Sequence, residues 1–174
     1  MLVRRIRRIL DSSIDVVHQY SLSKIPPQAA WNTTSNPPFL AVDGTPMKIR
    51  IIGFITSTAA LPHCVEIELL RTTDHKGLIK LLRRGSPKPS TQWFSTPLHI
   101  LTMSIRHISH LADDLYDATS RLRPPQYLER VAIDTLRVGD IMAIDCACIQ
   151  HETESGWDVE FEPLDLFLIA KAAH

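Results

Sequence analysis

The sequence predicts a mainly β domain with one or two helices. Three observations carry this. Short runs alternate apolar and charged residues, as in Val65, Ile67 and Leu69 against Glu66 and Glu68. One run packs Ile141, Met142, Ile144, Cys146, Cys148 and Ile149 into nine residues, which fits a strand buried on both faces. Polar turn signals separate the runs: Asp43-Gly44, Asp74-His75-Lys76-Gly77 and His151 to Gly156.

The chain has 174 residues, the length of one ordinary domain, and 44% apolar residues allow a full core. Residues 1–42 read as a basic amphipathic helix followed by a Pro-rich extended arm, and 43–174 as the β domain. Formal charge is zero, but it is polarised along the chain. Residues 1–110 hold 14 Lys/Arg against 6 Asp/Glu, net +8; residues 111–174 hold 5 against 13, net −8. This argues against a protein that coats nucleic acid nonspecifically over its whole surface. Three cysteines, Cys64, Cys146 and Cys148, do not make a disulfide framework and suit a reducing compartment. No apolar run reaches the length of a membrane span, and no secretory core is present at the N-terminus. Nuclear or cytoplasmic residence is the expectation.

Met1 to Gln19 has Leu2, Val3, Ile6, Ile9, Leu10 and Val17 at helical spacing, with Arg4, Arg5, Arg7 and Arg8 among them. Three readings are open: a helix packed on the domain, a basic arm for an acidic partner, or an organelle-targeting segment. Asp11 and Asp15 count against the third, so mitochondrial targeting stays open but weakened. Ser21 to Asp43 is rich in Pro, Asn, Ser and Thr and reads as an extended approach segment.

Met47 to Ser57 is the first main strand, with Ile49, Ile51 and either Phe54 or Ile55 inward, Lys48 and Arg50 outward, and Gly53 at a bend. Cys64 to Thr73 is the second. A hairpin turn at Asp74–Gly77 then leads to a short third strand, Leu78 to Leu82. Arg83 to Ser90 is a basic loop, followed by Trp93 and Phe94. Leu98 to His110 is the next strand. Leu111 to Leu122 reads as a helix, because Leu111, Leu115, Ala118 and Leu122 form a stripe before Pro124-Pro125. Tyr127 to Val131 reads as a further helical turn. The closing hairpin is Arg137 to Lys171, with Trp157, Val159 and Phe161 facing one way and Asp158, Glu160 and Glu162 the other. Pro163 should end or bulge its second strand.

A helix between the early strands and the closing hairpin is the order of an OB-fold-like five-stranded barrel. The runs Met47-Lys-Ile-Arg-Ile-Ile-Gly53-Phe-Ile and Leu136-Arg-Val-Gly139-Asp-Ile-Met-Ala-Ile resemble the first and fourth strands of small eukaryotic OB-fold accessory subunits of the replication-protein-A or telomere-capping type. The resemblance spans roughly residues 43–170. It implies a non-enzymatic complex subunit in the nucleus, concerned with telomeres, replication or repair. Such subunits bind larger protein partners, and some touch single-stranded DNA.

Single-strand binders combine a basic groove with aromatic platforms. The candidate residues are Lys48 and Arg50 on the first strand, Arg71, Lys76 and Lys80 across the hairpin, and Arg83, Arg84 and Lys88 in the loop. Trp93 and Phe94 are candidates for stacking. Aromatic residues are only 6% of the chain, and the core needs some of them. An accessory role, with a second protein subunit or another copy of the chain as partner, would use Asp158, Glu160 and Glu162 with the terminal Leu166 and Phe167. This is the preferred reading, with direct single-strand binding as the alternative. A small enzyme with an unrecognised site comes last: no carboxylate pair, nucleophile motif or phosphate-cradling loop stands out. No cofactor is expected. Cys146 and Cys148 lack the Cys-x-x-Cys spacing of structural zinc sites, so no metal is expected either.

Overall fold

The computed structural model describes residues 2–11, 18–59, 61, 64–85, 100–104, 115–154 and 156–173. These form two α-helices, α1 (Leu2–Asp11) and α2 (Thr72–Gly85), and eleven strands. The strands are β1 (Gln19–Ser21), β2 (Ala30–Asn32), β3 (Phe39–Val42), β4 (Thr45–Pro46), β5 (Lys48–Ser57), β6 (Cys64–Leu69), β7 (Ile100–Ser104), β8 (Leu115–Asp117), β9 (Glu129–Val131), β10 (Ile141–Thr153) and β11 (Gly156–Ala170). The main path of the sheet is β7-β6-β5-β10-β11-β8-β9. Its first five strands follow the Greek-key order of an OB fold, so the predicted class is found. The helix is misplaced in the prediction: α2 stands between β6 and β7, not between the third main strand and the closing hairpin.

The chain divides into two compact units. The first comprises residues 1–50, 71–99 and 147–161. In it the expected approach segment supplies strands. β1 pairs in parallel with the start of β5, setting Ser21 beside Arg50. β3 pairs with β2 and β4 and meets β10 at Ile149. The run Leu40–Val42 can be buried because its backbone groups find these partners; the Gln150 amide also donates to the Pro38 carbonyl at 2.8 Å.

Asp74 to Leu82, read as a turn and a strand, lies within α2. Leu78, Leu81 and Leu82 are at helical spacing and buried at 1–2% exposure. Gly77 looked like a turn residue but serves a close approach. A Cβ there would sit on the Leu22 carbonyl oxygen and 3.0 Å from the Ser23 amide nitrogen. The helix backbone thus lies directly against the 3-10 turn Leu22–Lys24.

The second unit comprises residues 51–70, 100–146 and 162–174. β6 lies between β5 and β7, antiparallel to both. Val65, Ile67 and Leu69 are buried, as the alternation required. Gly53 is needed because a Cβ would come 2.5 Å from the Glu68 carbonyl oxygen. The predicted helix over 111–122 is contradicted where described: β8 is a strand, parallel to β11, with Leu115 opposite Leu166 and Tyr116 opposite Phe167. Their rings are 5.8 Å apart, and strand pairing with ring contact overrides the helical stripe. Residues 111–114 lie outside the described residues. Tyr127 to Val131 is likewise a 3-10 end followed by β9. Pro163 does not end β11; it is buried within the strand, whose extended backbone tolerates the proline φ. Asp140, 3% exposed, accepts from the Arg137 and Ala172 amides, both at 2.8 Å, and ties the turn before β10 to the chain after β11.

β10 is buried on both faces from Ile141 to Cys146. Cys146 and Cys148 are free thiols at 0% exposure, and burial pushes the Cys148 thiol well above its ordinary range, leaving it neutral. Among the described residues no cluster of His, Cys, Asp and Glu suits a metal.

Two predictions follow from this packing. Gly77→Ala is expected to lower stability by about 2 kcal/mol, because the backbone clash outweighs a helix-propensity gain of about 1 kcal/mol. Denaturant midpoints read it, with exposed Lys76→Ala as the control; an unchanged or raised midpoint contradicts the close approach. Cys146 and Cys148 are expected to resist iodoacetamide at pH 8 in the native protein and to react fully in denaturant. Intact-mass analysis with peptide mapping decides, and prompt native labelling of either would overturn the two-sided burial of β10.

Candidate nucleic-acid interface

The candidate interface is built on α2 in the first unit. Lys76, Lys80 and Arg84 recur every four residues, which puts them in one row with steps of about 6 Å along the helix axis. All three are exposed, as is neighbouring Arg83. Among the described residues none of the four has an ion-pair partner. Arg83 and Arg84 also complement the negative end of the helix dipole.

The single acidic residue of α2, Asp74, is 2% exposed and already matched. Arg71 donates to it through Nε at 2.7 Å and Nη2 at 2.8 Å. The Ser23 amide donates to the same carboxylate at 3.2 Å, while Arg71 Nη2 also reaches Ser23 Oγ at 2.9 Å. This fork fastens the first turn of α2 to the 3-10 turn. It leaves cations as the charged side chains exposed on the helix.

Beside the row is a cleft of about 440 Å³. Leu22, Ile25, Pro27 and Leu81 give it an apolar floor and wall, Ser23 and Thr73 add hydroxyls, and Lys76, Lys80 and Arg84 form its cationic side. The volume is in the range of small-ligand sites. The unit that carries it holds 13 Lys/Arg against 8 Asp/Glu, net +5; the other holds 6 against 11, net −5. The fold brings acidic residues 147–161 into the basic unit, yet the sign of the linear polarity survives.

The remaining sequence candidates fall elsewhere. Lys48 is half-buried on β5. Arg50, expected outward, is only 7% exposed, because β1 runs alongside it. Arg71 is engaged with Asp74 rather than aimed at a groove. Lys88, Trp93 and Phe94 lie outside the described residues. Asp158, Glu160 and Glu162 are half-buried on β11; His151 Nδ1 is 3.8 Å from Glu160 Oε2, and the Val159 amide donates to Asp158 at 2.8 Å. Leu166 and Phe167 are core residues, at 2% and 1% exposure.

In the second unit Phe54 is 40% exposed, but Glu68 is its cross-strand neighbour. A base stacked there would carry its phosphates toward a carboxylate. Tyr127 is the most exposed aromatic among the described residues, at 67%.

Sequence reasoning chose the cations of α2 but set them on a hairpin and a loop. It missed Leu22, Ile25, Pro27 and Thr73 altogether. The period-four spacing Lys76, Lys80, Arg84 was the available signal for a helical row. No local pattern announces the cleft, whose two sides come from residues about fifty positions apart.

No protein-family model matches the chain, and no curated protein matches it. The chain is similar to two solved structures, both of phage proteins. One is gp2.5, a single-stranded DNA binding protein encoded by bacteriophage T7, at TM-score 0.45 and 9% identity, covering 75% of this chain and 90% of that one. The other is a C-terminal truncation of the single-stranded DNA-binding protein from bacteriophage Enc34, at TM-score 0.40 and 9% identity, covering 86% of this chain and 98% of that one.

Proposed function

We propose that this chain binds single-stranded DNA through the cationic face of α2. The observation that carries the reading is the unpaired row Lys76, Lys80 and Arg84, exposed on one helix face whose single carboxylate is already neutralised. A row stepping about 6 Å per cation meets successive phosphates of an extended strand. Phosphate contacts release counterions, so binding of this kind weakens steeply with salt.

The test is fluorescence anisotropy of a labelled oligothymidylate across a salt series. Replacing Lys76, Lys80 and Arg84 together by Ala is expected to weaken binding at least about tenfold at low salt. It should flatten the log–log salt slope by about 2, at roughly 0.7 per lost single-strand phosphate contact. Arg121→Ala with Arg123→Ala, exposed in the other unit, serves as the control. No anisotropy change with the natural chain at low salt, or equal losses in both variants, would reject the reading.

A second reading is an accessory subunit of a protein or nucleoprotein assembly. What favours it is α1, where Leu2 and Val3 are 41% and 70% exposed beside exposed Arg4, Arg7 and Arg8. Such a face gains from being covered. If the helix serves self-assembly, sedimentation velocity of the full chain will show a concentration-dependent oligomer that Val3→Asp dissolves. A monomer throughout the micromolar range removes self-assembly from consideration.

A further inference from the structure

We infer that the cleft beside α2 holds one unstacked base of the bound strand, while the phosphates on either side of that base lie along Lys76, Lys80 and Arg84. The inference rests on the single-stranded DNA reading above and deepens it. Its starting point is the mixed chemistry of the cleft. A chain of phosphates alone needs cations and no apolar floor. A purely apolar ligand gains nothing from three cations on one side. Leu22, Ile25, Pro27 and Leu81 with this cationic row suit a ligand that joins a flat, weakly solvated body to a repeating anion, which describes a nucleotide within a strand.

The geometry of the elements supports the same occupant. The cationic row and the apolar floor are adjoining strips of one helix, since Gly77 and Leu81 follow Lys76 and Lys80 by one residue each, about 100° round the axis. A base entering between the helix and the Ile25–Pro27 wall therefore leaves its backbone over the row. The fork of Arg71, Asp74 and Ser23 fixes one side of the cleft against the other, so the opening exists before a ligand arrives. Of the two lining hydroxyls, that of Ser23 is already engaged by Arg71. That leaves the Thr73 hydroxyl as the side-chain group available to a base edge, so the cleft should accept any base with little discrimination.

The test compares two labelled twelve-nucleotide strands of equal charge, oligothymidylate and a fully abasic backbone, with the full chain. Oligothymidylate is expected to bind about tenfold tighter, with the same salt slope for both. Ile25→Ser with Pro27→Ser, at half-buried and exposed positions, should remove most of this preference and leave the slope intact. Circular dichroism confirms that this variant folds. If it does not, Thr73→Trp, placed at an exposed position to fill the cleft, is expected to give the same loss. Equal binding of the two strands with a normal slope overturns the inference and leaves the phosphate row standing. A preference that survives the cleft variants also overturns it, because the base is then bound elsewhere. Failure of both strands to bind sinks the underlying reading as well. If an acidic peptide with apolar side chains binds in a cleft-dependent way and oligothymidylate does not, the occupant is protein and the inference is wrong.

Discussion

The contact of α2 with the Leu22–Lys24 turn is the constraint on which the first unit depends. It has a steric half and an electrostatic half. Gly77 removes the Cβ that would strike the Leu22 carbonyl, so the two backbones meet directly. Arg71, Asp74 and Ser23 then lock the helix start to the turn by charge-assisted hydrogen bonds, shielded by the 2% exposure of Asp74. Either half alone would leave the helix freer to roll. Together they decide which side of α2 faces the core, and hence that Lys76, Lys80 and Arg84 face out. The cleft is a by-product of the same contact, because its floor is the seam where helix and turn join.

This gives the chain an economy of charge. A helix of fourteen residues carries four cations and one carboxylate. Pairing that carboxylate with Arg71, outside the helix, rather than with a lysine in it keeps the exposed cations at full strength. The second unit has the opposite charge balance. Glu68 stands opposite Phe54, and Glu66 follows two residues away along the same strand, so this face is poorly suited to phosphate. An OB-like strand order therefore does not by itself locate a ligand: here the favourable potential is on a helix inserted between two of the strands.

Much of the sheet was legible in the sequence. β6 and the start of β11 showed strict alternation, and β10 showed the uninterrupted apolar run of a strand buried on both faces. The errors have physical causes. Asp74 and Gly77 are common in turns, yet Asp74 starts a helix by meeting Arg71 and Gly77 permits close packing; identity did not reveal which use applied. Leu111, Leu115, Ala118 and Leu122 have helical spacing, yet β8 gains a parallel neighbour and the Tyr116–Phe167 ring contact. Arg50 looked like an outward strand residue because its cover, β1, lies thirty residues upstream in a segment with little strand character. The candidate cations were legible as residue types. Their arrangement depended on long-range contacts that no window along the chain contains.

The strand order also bears on how the protein is made. β5 leaves the ribosome early, with β1 already out ahead of it and β6 soon after, but its other long neighbour, β10, arrives only near the end of synthesis. Until then a strand containing Ile49, Ile51, Ile52 and Ile55 has an incomplete ladder. Non-local pairing of this kind is slow, and an unpaired apolar edge invites other chains. The opening quarter of the chain, which contributes β1 to β4, gives β5 its earliest partner. It serves as a built-in escort, one that stays with the strand after folding is complete.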